Sequence, residues 1–185
     1  MNDLSVQKQT SDGTLVVQEQ QGQYLTFLVG KESLGISIHE VKEIIEINNI
    51  TRVPMTPNYI RGVINLRGNV VPVVDLSARL SREKSELTKR SCIVLVEIIT
   101  EGESQSIGML VDQVDEILEI QNENIQPAPE FGADIRVEFI QAMGRVDEKF
   151  IILLEISRVL SVTELSQLSR SINADSASVP ETDSE

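Results

Sequence analysis

A mainly β chain built from a duplicated unit of about five short strands is the fold the sequence predicts, on two observations. The first is the stretch YIRGVINLRGNVVPVVDLSARL at residues 59–80. There Gly68-Asn69, a pair that tolerates positive φ, stands between two β-branched runs, Gly62 to Arg67 and Val70 to Leu76. Counting outward from a Gly68-Asn69 turn, Arg67 faces Val70, Leu66 faces Val71, Asn65 faces Pro72 and Ile64 faces Val73. Ile64, Leu66, Val71 and Val73 then form a core face. Val63, Asn65, Arg67, Val70, Pro72 and Val74 form the opposite one, whose mixture of apolar surface, an amide and a cation marks a recognition surface. Pro72 cannot donate to a ladder, so its strand is predicted to be at an edge or bulged there.

The second observation is a recurrence. An offset of 73 carries Gly35, Val41, Glu43, Ile44, Glu46, Ile47, Asn49 and Pro54 onto Gly108, Val114, Glu116, Ile117, Glu119, Ile120, Asn122 and Pro127, the same residue type each time. An offset of 80 carries Tyr59, Ile60, Val71, Asp75, Leu76, Ser77 and Leu80 onto Phe139, Ile140, Ile151, Glu155, Ile156, Ser157 and Leu160. The difference between the offsets is an insertion in the second long loop. Framework residues repeat, but Leu66-Arg67-Gly68-Asn69 becomes Val146-Asp147-Glu148-Lys149. The turns are therefore where specialised contacts are expected.

In order, residues 1–20 are polar, with little periodic apolar content, and read as a flexible leader. Tyr24 to Val29 and Leu34 to Ile38 read as a hairpin across Gly30-Lys31-Glu32-Ser33. His39 to Lys42 reads as one helical turn, Glu43 to Ile50 as strand, and Pro54 and Pro57 as loop. After the central hairpin, Asp75 or Ser77 caps a short helix ending near Leu80, followed by the charged linker Ser81 to Arg90. Cys92 to Ile99, Ile107 to Val111 and Val114 to Ile120 are strands. A loop spans Gln121 to Glu138, and Phe139 to Val146 and Phe150 to Ile156 are again strands. Ser161-Val-Thr-Glu164 is a capping box for a C-terminal helix to about Ser171, and residues 169–185 read as a flexible acidic tail.

Composition narrows the function. Sixteen Lys plus Arg against 29 Asp plus Glu give a net charge of −13, which disfavours nucleic acid and anionic membranes as partners. No apolar run is long enough to span a bilayer and the start lacks a signal-peptide segment, so a cytoplasmic protein without membrane insertion is expected. Cys92, the single cysteine, excludes an internal disulfide and reads as a buried small hydrophobe. The lone His39, whose repeat counterpart is Asp112, has no triad or ligand spacing around it. The acids Glu43 with Glu46, and Asp112 with Asp115 and Glu116, lack the ligand alternation of a calcium loop. No catalytic residue, metal or cofactor is therefore predicted, and a small-molecule barrel or a hydrolase using His39 is the competing class.

Two side chains remain as candidate contacts on residue grounds. Arg67 shares its face with Val63, Val70 and Val74, apolar area expected to be covered by a partner or between the repeats, and offers a planar donor fork with Glu43 as a prospective partner. Phe131, between Pro129-Glu130 and Gly132 in a polar loop, suits an exposed aromatic anchor.

Taken together, QYLTFLVGKESLGISI, HEVKEIIEI, YIRGVINLRGNVVPVVDL and IQPAPEFG resemble the CheW family of chemotaxis coupling proteins, from about Tyr24 to Leu168. The resemblance implies two SH3-like five-stranded β-barrels packed together, with short connecting helices and a C-terminal helix. The domain is expected over 21–168, barrel 1 at about 21–86 and barrel 2 at about 90–168, with strand exchange left open. It implies a non-catalytic adaptor joining the cytoplasmic tip of a chemoreceptor to the regulatory domain of the CheA histidine kinase, recruited to membrane-associated arrays. An adaptor of another receptor–kinase pathway, such as surface motility, is the alternative, and adaptor self-association in rings is compatible with either. Val41, Glu43, Gly62 and Arg67 match the family's receptor-binding positions. Gln126 and Phe131 match its kinase-contacting segment, with Gln126 where members commonly have Arg.

Overall fold

The computed structural model describes residues 22–80, 82–100, 102–129 and 135–160. Apolar alternation bounded by turn residues produces β1 (Gln23–Val29), β2 (Glu32–Ser37), β3 (Val41–Glu46), β4 (Ile60–Leu66) and β5 (Asn69–Asp75), closed by the short helix α1 (Leu76–Arg79). The same series follows in β6 (Cys92–Thr100), β7 (Glu103–Val111), β8 (Gln113–Glu119), β9 (Ile125–Gln126), β10 (Ile140–Val146) and β11 (Lys149–Leu154), closed by α2 (Ile156–Val159). Single 3-10 turns stand at Ile38–Glu40, Asn122–Asn124 and Val137–Phe139. The proposed leader, tail and capping-box helix lie outside the described residues. No described helix is long and apolar enough to cross a membrane.

The sheets interlock. One has the order β3-β6-β7-β5-β4, the other β8-β1-β2-β11-β10-β9. The hairpin β6–β7 thus completes the sheet begun by β3, β4 and β5, while β1–β2 completes the sheet of β8 to β11. The exchange follows the repeat: Val73 pairs in parallel with Gly108, and Leu153 with Gly35, each residue replaced by its offset counterpart. In the five-stranded sheet the chain after β3 returns to the far edge through a bridge between Thr51 and Val63, so the sheet closes on itself. In the other, that closing element grows into the two-residue strand β9. This makes the sheet six-stranded where five strands were expected.

Each sheet wraps a small core of its own. Ile64, Val71, Val73, Ile93, Leu95 and Leu110 fill one, and Tyr24, Ile120, Ala142, Ile151 and Leu153 fill the other. A larger core lies between the sheets, drawing Phe27, Leu34 and Ile36 from one side and Val74, Val94, Val96 and Met109 from the other. At about 25 cal/mol per Å² of apolar area removed from water, this shared layer is the main term holding the two barrels together. Related residues meet at its rim. Asp75 N donates to Tyr59 O (2.7 Å), and Glu155 N to Phe139 O (2.9 Å). Arg79 Nε donates to Val159 O (2.6 Å), and its guanidinium lies 4.6 Å from the Tyr59 ring and 5.2 Å from that of Phe139.

The central hairpin turns one residue earlier than the sequence suggests. Leu66 pairs with Asn69, Asn65 with Val70, and Ile64 with Val71, so Arg67 and Gly68 form the turn. Both have positive φ (51° and 86°), the pattern of a type I′ turn, and Asn65 Oδ1 accepts from Gly68 N (3.0 Å). The asparagine side chain fixes the turn, and sequence counting had given it no part. Moving both partners together preserves facing, so Ile64, Val71 and Val73 are buried as predicted. The opposite face is divided. Asn65, Arg67 and Val70 are exposed, whereas Pro72 and Val74 are buried, Val74 in the shared core. β5 is an interior strand, with Pro72 just ahead of its pairing with β7, and the bulge falls in β4 between Ile60 and Gly62. The first hairpin likewise turns on Gly30-Lys31 alone, since Val29 pairs with Glu32.

Asp75, fully buried, caps α1 by accepting from Ala78 N (3.3 Å). It also accepts from Ser85 N (2.9 Å) and Ser85 Oγ (3.0 Å), with Arg61 Nε 3.5 Å away, which ties down the segment after the helix. Arg82 adds an ion pair to Glu32 at 2.7 Å.

Two outcomes are expected. Gly62 has φ 144°, and a Cβ there would lie 2.1 Å from Thr51 O, at the bridge that closes the barrel. Gly62→Ala should lower unfolding free energy by about 3 kcal/mol in urea titration. Glu40, in the first 3-10 turn, has its carboxyl pushed from an ordinary 4.5 up to about 7, first by desolvation and then by the Glu155 charge. A carboxyl whose pKa is higher folded than unfolded binds more protons when folded, so stability falls as pH rises from about 4.5 to about 7. Glu40→Gln should therefore raise the melting temperature by about 2 °C at pH 8 and leave it nearly unchanged at pH 4.5.

Candidate binding surfaces

Arg67 and Glu43 come together. Arg67 Nη2 lies 3.0 Å from Glu43 Oε1 and 3.1 Å from Oε2, so one nitrogen is shared by both carboxylate oxygens. β3 and β4 stand at the two ends of the sheet order, so this pair clasps the closing barrel from outside. Its side chains remain 73% and 34% exposed, which limits the stabilisation to about 0.2–1 kcal/mol and leaves the guanidinium open to a partner. The left-handed backbone at Arg67 presents the cation at the tip of the turn, with Val70 exposed beside it.

A shallow depression begins beneath the turn, lined by Glu43, Arg67, Val70, Lys42 and Ser106 among others. Lys42 Nζ is 3.2 Å from Glu97 Oε1 and 3.3 Å from Ser106 Oγ. A hydrogen bond from the Ser104 hydroxyl, followed by Lys42, holds the Glu97 carboxyl below its ordinary range. Sequence reasoning missed this second charged pair. It joins β3 to β6 and β7 across the two repeats, and only the exchanged hairpin makes those residues neighbours.

The other receptor-matching positions are placed differently. Val41, half-buried at the start of β3, opposes Val96 and packs against the shared core. Gly62 is buried, and its backbone geometry already requires glycine. Gln126 is exposed on β9, opposite Met143, and so belongs to the other sheet. Phe131 lies outside the described residues. His39 is exposed on the 3-10 turn, and Cys92 is half-buried, its thiol pKa raised by burial. Among the described residues no group of His, Cys, Asp or Glu is arranged to hold a metal ion.

The repeat also places Glu116 and Asp147 where the first copy has Glu43 and Arg67. They line a larger depression on the six-stranded sheet together with exposed Phe150. Two carboxylates cannot form the clasp, so the two copies present opposite charges from the same turn.

Comparison with known proteins places this framework. The chemotaxis protein CheW of Klebsiella aerogenes is 33% identical over 144 residues, covering 78% of this chain and 84% of that protein. Protein FrzA of Myxococcus xanthus is 29% identical over 152 residues, covering 80% and 91%. The crystal structure of the scaffolding protein TtCheW from Thermoanaerobacter tengcongensis superposes with a TM-score of 0.66 at 34% identity, covering 74% of this chain and 85% of that one. The family model described as the CheW-like domain matches residues 23–164, and the chain belongs to that family.

Proposed function

We propose that this chain is a non-catalytic adaptor coupling the cytoplasmic tip of a chemoreceptor to the regulatory domain of the CheA histidine kinase. The observation that carries this reading is the Arg67–Glu43 clasp: a cation raised on a left-handed turn, oriented by a carboxylate, beside exposed Val70. A receptor helix offers carboxylates and backbone carbonyls that a guanidinium fork can engage, and apolar side chains that the valine can meet. Val41 and Gly62 would support the surface through strand placement and barrel closure more than through direct contact. The kinase would meet the other sheet, at exposed Gln126 and the adjoining segment that includes Phe131.

The physical task is simultaneous occupancy. Holding both partners on one rigid body raises the effective concentration of each for the other, so two modest interfaces suffice for an array. Such a protein works in the cytoplasm, gathered to the membrane by the receptors it binds. The similarity to FrzA, named apart from the chemotaxis proteins, favours a CheW-like adaptor of another receptor–kinase pathway as the second reading.

The test is charge exchange in a ternary co-purification of the full chain, a receptor-tip hairpin and a kinase regulatory domain. Arg67→Glu and Glu43→Arg should each weaken receptor binding by about tenfold with kinase binding intact, and the double exchange should recover most of the loss. A double variant no better than either single change would refute the clasp as an orienting contact. Unchanged receptor binding in all three would refute the surface itself.

A further inference from the structure

A second depression on the five-stranded sheet shares no lining residue with the one beneath Arg67. Its walls come from the loop between β3 and β4, the start of β4, and the segment that Asp75 pins after α1. They include Arg52, Met55, Arg61, Lys84 and Leu87.

Two independent features single it out. The first is charge. In a chain of net charge −13, no carboxylate of the described residues lines this depression. Arg61 is turned toward Asp75 and the Ser85 carbonyl, while Arg52 and Lys84 are exposed and form no ion pair with any described residue. The second is Met55. Pro54 and Met55 form the centre of a tight turn, and Met55 has φ 60°, a conformation that ordinarily selects glycine or asparagine. A flexible apolar side chain stands there instead, entirely in solvent (102% exposed), with Leu87 also 52% exposed. Local backbone preference and the hydrophobic effect both oppose a methionine at this point, so its presence points to an occupant.

We infer that this depression docks an acidic segment of a protein partner bearing a bulky apolar side chain, its carboxylates on Arg52 and Lys84 and its apolar group between Met55 and Leu87. Charge complementarity identifies the occupant, because an acidic segment meets two cations that pair with no described residue and face no described carboxylate. An anionic lipid surface would face the same two cations, but would be repelled by the remaining charge of the chain. The surface is separate from the one proposed for the receptor.

Fluorescence anisotropy of the full-length chain with a short labelled peptide of alternating Glu and Leu tests this, with a Lys–Leu peptide as control. The Glu–Leu peptide should bind, weaken with salt, and lose at least about tenfold in affinity to the Arg52→Glu/Lys84→Glu variant. Met55→Gly should weaken binding severalfold without lowering the melting temperature, since glycine suits the backbone there, which separates lost contact from lost folding. Arg67→Glu should leave peptide binding unchanged. Equal binding of both peptides, indifference to the Arg52/Lys84 reversal, loss of binding in Arg67→Glu, or co-sedimentation of the chain with phosphatidylserine vesicles in place of peptide binding would each overturn the inference.

Discussion

Neither repeat can finish its own sheet. β3 has its ladder with β6, a strand of the second copy, and β8 has its ladder with β1, a strand of the first. Pulling the two repeats apart would break two antiparallel pairings and two parallel ones, and would expose the shared apolar layer as well. The cost far exceeds that of separating two domains which merely touch, for which relative motion is the ordinary expectation. The surfaces on the two sheets are thus held at fixed spacing. Arg79, between the repeat-related rings of Tyr59 and Phe139 and bonded to Val159 O, is the local form of that constraint.

On this frame duplication has allowed divergence without loss of fold. Val71 and Ile151, Val73 and Leu153, and Leu66 and Val146 do the same packing in the two small cores. The turns between those strands answer to solvent instead, and there an arginine faces a glutamate in one copy while two acids stand in the other. Asp147 and Glu148 both keep positive φ, 47° and 66°, so the turn geometry persists where its glycine does not. Shape is shared between the two sheets and electrostatics is not, so the two faces are suited to different partners.

Much of this was legible in the residues. Framework positions obey local rules: alternation located the strands, Asp75 announced the helix it caps, and two offsets disclosed the duplication. The core face of the central hairpin was readable because facing depends on parity, which a two-residue change in pairing leaves intact. What could not be read was long-range or side-chain-determined. No local pattern tells β3 to pair with β6 in place of a strand of its own repeat, so the Lys42–Glu97 contact was out of reach. The turn position depended on one hydrogen bond, from Gly68 N to the Asn65 side chain. Of the proposed contact residues, Glu43 and Arg67 were readable as a pair from their opposite charges and from the family resemblance that marks both positions. The close approach of Thr51 gives Gly62 its backbone role.

The hairpin exchange has a consequence for ancestry. A lone copy of the unit would leave a strand edge unmatched and a greasy flank uncovered, but two identical molecules could trade hairpins and satisfy each other about a two-fold axis. The pairing of Val73 with Gly108 and of Leu153 with Gly35 is the trace such a partnership would leave after gene fusion. Tandem joining would have turned an obligate symmetric pair into a single polypeptide, and so freed its two ends to acquire separate identities.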